Sequence, residues 1–173
     1  MDFALLEKGI WLGCAGVGFA ALFNVPRRTL GVIYIMSALG GMLKFYMISL
    51  EFGLVFAAFC GSSLIGFMSV LAAHYRKAPP MTFALPSLIP MIPGLFAYKA
   101  MTGVMKLTAQ KDSNGYNDLF FETVHNGLSA LFIILALSAG VAIPLLITRK
   151  ETVKRIKTDL ALEKQFENLE EEN

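Results

Sequence analysis

Five stretches of this chain carry no Asp, Glu, Lys or Arg: Gly9 to Phe23, Leu30 to Leu43, Phe52 to Ala73, Pro79 to Tyr98 and Thr123 to Thr148. That spacing of charge constrains the fold more than any other feature. A bilayer-spanning helix takes about 20 apolar residues, and five uncharged blocks of this kind call for lipid as their solvent. Charged residues make up 16% of the 173 positions, against about 25% in soluble domains. Five spans consume roughly 100 residues, which leaves short turns and a terminal segment and no room for a water-soluble catalytic domain. A net charge of +2 with no basic patch interleaved with aromatics sets nucleic acid aside as a partner. Cys14 and Cys60 lie inside apolar blocks and read as small hydrophobes rather than a disulfide pair. Asp2 and Glu7 at the start argue against a cleaved signal peptide.

The expected architecture is an all-α integral membrane protein, with a five-span transmembrane domain over residues 1–148 and a charged tail over 149–173. Span one runs from about Phe3 to Phe23, span two from Thr29 to Leu50, span three from Phe52 to Tyr75, span four from Met81 to Leu107 and span five from Leu119 to Thr148. Pro26 forbids a continuous helix between the first two. A polar stretch with Asp112, Asn114, Gly115 and Asn117 separates the last two. Arg27 and Arg28, Arg76 and Lys77, and Arg149, Lys150, Lys154, Arg155 and Lys157 follow spans one, three and five, whereas basic residues at the opposite ends are offset by acids. The positive-inside rule then places the N-terminus outside and the C-terminus in the cytoplasm, across the cell's inner membrane. Were span four to dip in and return, the basic tail would face outward, so five crossings are expected. Val153, Ile156 and Leu160 at helical spacing make the tail a cytoplasmic helix, solvated or docked on a partner.

Span four holds Pro86, Pro90, Pro93 and Gly94, so three amide donors are missing within an apolar segment. Each proline also displaces the carbonyl four residues earlier, here those of Thr82, Pro86 and Ile89. Such backbone survives at bilayer depth only when it is buried in protein or lines a wet cavity. Secondary transporters build substrate and ion sites from discontinuous helices of this kind. An ordinary kinked helix is the plainer alternative.

The segment Ile89-Pro90-Met91-Ile92-Pro93-Gly94, preceded by Pro86, resembles the proline-glycine signature of the threonine/serine exporter family. Phe23-Asn24-Val25-Pro26, followed by Arg27 and Arg28, is similar to a turn in that family's membrane domain. Leu95 to Met101, with Tyr98, and Asn126 to Pro144 also fit its last two spans. The resemblance runs from about Phe3 to Arg149. It implies the second membrane half of an exporter, similar to the small subunit of split bacterial exporters (the YjjB-like type), whose companion multi-span subunit supplies the other half and a soluble segment. It also implies export of small carboxylate-bearing metabolites, threonine and serine in some members and succinate in others, coupled to the proton gradient. No cofactor, metal or covalent catalysis is expected.

Individual polar residues refine that expectation. Lys44 and Lys99, in spans two and four, fall roughly 6 to 9 Å outward of their span centres and suit a substrate carboxylate if they share one depth. Snorkelling to the outer interface is the plainer reading for both. Glu122, His125 and Asn126 follow i, i+3, i+4 spacing on the outer turns of span five. Glu122 and His125 are candidates for proton coupling and Asn126 for a polar contact, although such residues also simply mark span ends. Asn24 either caps span two or bonds the broken segment. Small residues, among them Gly9, Gly13 and Gly16 in span one and Ala57, Gly61, Ser62 and Gly66 in span three, read as helix contacts, internal, with a partner or between copies in a homo-oligomer.

Two rival functions stand beside transport. A mid-span Gly61-Ser62-Ser63 raises an intramembrane serine protease, but His125 and His74 sit near opposite span ends, far from a mid-span nucleophile that needs a base within reach. A non-transporting scaffold or assembly subunit is the stronger rival, since five spans are few for a carrier.

Overall fold

The computed structural model describes the backbone of residues 3–76, 78–109 and 115–171, and the side chains of 5–76, 78–109 and 115–148. Asp112 and Asn114 of the polar stretch, Lys77, and the tail side chains from residue 149 on, Val153, Ile156 and Leu160 included, lie outside those residues. The described chain is helical: α1 (Phe3–Leu22), α2 (Leu30–Ser49), α3 (Leu54–Arg76), α4 (Pro80–Leu88), α5 (Gly94–Ala109) and α6 (Tyr116–Glu171). Four of these helices are long and apolar enough to cross a membrane, and α4 with α5 makes a fifth if the bent pair is counted as one span. Helix is the state a lipid-embedded segment must adopt, since it satisfies each backbone group within the segment.

Helix ends are set by local chemistry. Asn24 adopts φ 54°, the Val25 N–H donates to the Ala20 carbonyl and the Asn24 N–H to that of Ala21, each at 3.0 Å. This pairing is a Schellman cap, and asparagine tolerates its left-handed position. The sequence placed Asn24 as a cap of span two or a bond to the broken segment. It instead closes α1 through its backbone, and the next turn, a short 3-10 helix at Arg27–Thr29, has Pro26 as its N-cap without a side-chain bond. Glu51, at φ 61°, ends α2 by the same pattern. Pro80 opens α4 at its first turn, where a missing N–H costs nothing.

Register shows how the helices run. Gly9 and Gly16 of α1 face Met42 and Ser37 of α2, and Gly40 and Lys44 of α2 face Ile65 and Gly61 of α3, so both pairs are antiparallel. Ser62 of α3 meets Ala136 of α6, while Gly66 meets Val141 and Pro144, so α3 and α6 run parallel. Gly61 sits at a close crossing of α2, α3 and the turn after α4: a Cβ there would come within 2.7 Å of the Gly40 carbonyl and 2.6 Å of the Met91 side chain. Around it the core gathers Ile33, Met36, Ile65, Phe83, Met91 and Ile133, all but fully buried.

The helix α6 continues unbroken for 56 residues, about 84 Å at 1.5 Å per residue and far more than a hydrocarbon core of about 30 Å. The boundary placed at residue 149 therefore falls inside a continuous helix.

Candidate functional site

Pro86 is carried inside α4, a 3-10 turn spans Ile89–Met91, Ile92 is extended at φ −61°, ψ 137°, and α5 leaves at 56° to the first half. The proline-glycine segment is thus a broken helix at the heart of the protein, with Pro86, Met91 and Pro93 buried and Ile92 and Gly94 exposed.

The freed backbone acceptors are met by side chains of α2. Lys44 Nζ donates to the Met91 carbonyl at 3.0 Å. Ser37 Oγ lies 2.8 Å from the Leu12 carbonyl and 3.3 Å from that of Ser87, bridging α1 and α4. Seven residues separate Ser37 from Lys44, two helical turns along one face of α2. Ser87 Oγ in turn donates to the Phe83 carbonyl at 2.8 Å. Satisfied polar groups of this kind are required where no water competes.

The acceptors differ from those the sequence singled out. The Ile89 carbonyl is already taken by the Ile92 N–H at 3.1 Å, and the carbonyls that receive side-chain donors are those of Ser87 and Met91. The cause is the 3-10 turn, whose i to i+3 bonds shift the vacancies along the chain. Beyond it, Ile92 is extended, the Gly94 N–H turns back to the Ile92 carbonyl and the Ala97 N–H to that of Pro93. The Met91 carbonyl therefore has no backbone donor in the helix that follows.

Of the residues predicted for the pathway, the structure brings together Pro86, Pro90, Pro93, Gly94 and Lys44 and leaves Tyr98, Lys99, Asn126, Asn24, Glu122 and His125 apart from them. Lys44 turns into the break rather than toward the interface. Lys99 is exposed on α5, five residues and about 7.5 Å along the helix beyond Gly94, and takes no part in the Lys44–Met91 contact. Tyr98 beside it is 68% exposed. On α6, Asn126 is buried to 6% and its Nδ2 donates to the Glu122 carbonyl at 2.8 Å, whereas Glu122 and His125 are exposed. The i, i+3, i+4 spacing is real, but the α5–α6 contact covers one edge of that face and leaves the other bare. Asn24 stays in the exposed α1–α2 turn. Ser62 is fully buried, and its hydroxyl lies 3.0 Å from the Phe59 carbonyl. An apolar groove of about 690 Å³, lined by residues such as Leu39, Leu43, Tyr46 and Leu64, lies on another face and includes none of the break residues.

Sequence reasoning missed Ser37, Ser87 and Met91. The signal was present in part: Ser37, Gly40, Gly41 and Lys44 form a small and polar stripe on an otherwise apolar span. Nothing in that stripe says which carbonyls it will meet.

The profile described as "Threonine/Serine exporter, ThrE" matches residues 9–147. An uncharacterized protein of Haemophilus influenzae is 33% identical over 171 aligned residues, covering 87% of this chain and 56% of that protein, so the chain spans little more than half the relative's length. No solved structure matches. The chain belongs to the threonine/serine exporter family, and its apolar helices, one pair of them broken at the proline segment, make it a multi-pass membrane protein.

Proposed function

We propose that this chain is the second half of a secondary exporter of small carboxylate-bearing metabolites, threonine and serine first and succinate as the family's other substrate, and that a companion multi-span subunit supplies the other half. The observation that carries the reading is the bond from Lys44 Nζ to the Met91 carbonyl. It puts a cation against open backbone in the middle of the bundle, and intramembrane cations of this kind mark substrate or ion pathways. The relative's extra length is consistent with a second half joined to this one.

In this reading α4 and α5 form one bent crossing, giving five spans. The parallel run of α3 and α6 supports it, since a segment that dipped and returned would set them antiparallel. Arg27, Arg28 and Arg76 then gather at the end from which the residue-149 segment departs, and the positive-inside rule makes that end cytoplasmic, in the cell's inner membrane. Proton coupling falls to Glu122 and His125, exposed on the outer turns of α6. Covalent chemistry has no part here, and the Ser62 hydroxyl, occupied by backbone carbonyls, supports its exclusion.

Efflux of threonine, serine and succinate from cells making the chain with its companion tests the reading. Pro90→Ala and Pro93→Leu, at unchanged membrane level, are expected to lower efflux by at least about tenfold, since repairing the helix removes the open carbonyls. Normal efflux in both variants would instead support a scaffold subunit.

A further inference from the structure

Lys44 carries three N–H donors, and among the described residues its side chain makes one hydrogen bond, to the uncharged Met91 carbonyl. The acids of those residues are elsewhere: Glu7 is exposed on α1, Glu51 is in the α2–α3 turn, and Asp118 and Glu122 are exposed on α6. A cation inside a bundle without a carboxylate partner retains a strong demand for an anion, because its field is poorly screened there. Its present partner has a matching demand, since the Met91 carbonyl has no backbone donor once the chain becomes extended at Ile92.

We propose that Lys44 Nζ and the Met91 carbonyl are the two ends of an amino-acid subsite, seen here closed on one another, which opens to take a zwitterion with its carboxylate on Lys44 and its α-ammonium on Met91. This inference rests on the exporter reading and sharpens it. At 3.0 Å the two ends leave no space between them, so binding requires them to part. The Lys44 side chain supplies that motion: its ammonium ends a flexible four-carbon stem, and among the described residues the bond to Met91 is its one hydrogen bond. Charge chooses the ligand. A zwitterion gives an anion to the ammonium and a donor to the carbonyl, so both ends keep partners when they separate. A dicarboxylate would set its second carboxylate against a carbonyl oxygen, and an amino acid amide would leave Lys44 without an anion.

The test measures efflux of labelled L-serine from cells making the full chain and its companion, with competition from L-serinamide, which lacks the carboxylate, 3-hydroxypropanoate, which lacks the ammonium, and succinate. The wild-type chain is expected to prefer L-serine over each competitor by roughly tenfold or more, as sites built to pair a polar group reject analogues that lack it. Lys44→Gln should lose serine efflux by a similar factor, with partial recovery in Lys44→Arg. Equal competition by 3-hydroxypropanoate or succinate overturns the proposal without any variant, so it stays testable even if Lys44→Gln fails to reach the membrane. Wild-type serine efflux in a well-expressed Lys44→Gln overturns it too. In those cases the exporter reading survives if the Pro90 and Pro93 variants are defective, whereas absence of efflux of threonine, serine and succinate from wild-type cells removes both.

Discussion

The two halves of the broken span were drawn from one apolar run, yet they occupy different environments. The helix α4 packs against α1, α2 and α3, with Phe83, Ala84, Pro86 and Ser87 buried. Although α5 is longer, only Gly103 is buried in it, and Leu95, Tyr98, Met101 and Met105 are mostly exposed. The difference separates an anchor from an arm. The first half is fixed by burial and by the Ser37 and Ser87 hydroxyls, while the second half is steered by one neighbour, α6, through the close approach of Gly103 to Thr123.

The largest break in that contrast should come from cavity formation. Phe83→Ala, at a side chain with 0% exposure, is expected to cost about 3–5 kcal/mol, whereas Met101→Ala, 70% exposed, should stay within about 0.5 kcal/mol. Thermal unfolding of the purified chain in mild detergent would read both, and equal losses would remove the distinction between anchor and arm. Gly103→Val should be intermediate, about 1–3 kcal/mol, because the new side chain meets Thr123. Limited proteolysis should then show α5 cleaved faster while α1 to α4 keep their protection. Among the changes at contacts between helices the smallest effect is expected for Ser37→Ala, about 0.6 kcal/mol as for other hydrogen bonds between membrane helices. Because Ser37 holds Leu12 and Ser87 together, that loss should appear as faster amide exchange at the α1–α4 contact and leave α5 unchanged.

Much of this architecture can be read without coordinates. The helix ends at Leu22, Ser49 and Arg76 fall within a residue or two of the expected span ends, because proline, charge and the cost of unsatisfied backbone in lipid act locally. The break at residues 86–94 was legible for the same reason: three missing N–H groups cannot be hidden in a regular helix. The site was legible only in pieces. Lys44 and the prolines were candidates individually, but Lys99, Tyr98, Glu122 and His125 carried the same apparent promise and lie exposed.

What the sequence determined by itself is where helices form, where one must fail, and that lipid is the solvent, since each follows from groups within a few residues of one another. The tertiary structure decided which donors answer the failure. Ser37 reaches Leu12 across 25 positions and Lys44 reaches Met91 across 47. Helical periodicity tells which side chains share a face but not which helix that face will meet, because that choice depends on the packing of small residues such as Gly40 against Gly61 summed over the whole bundle.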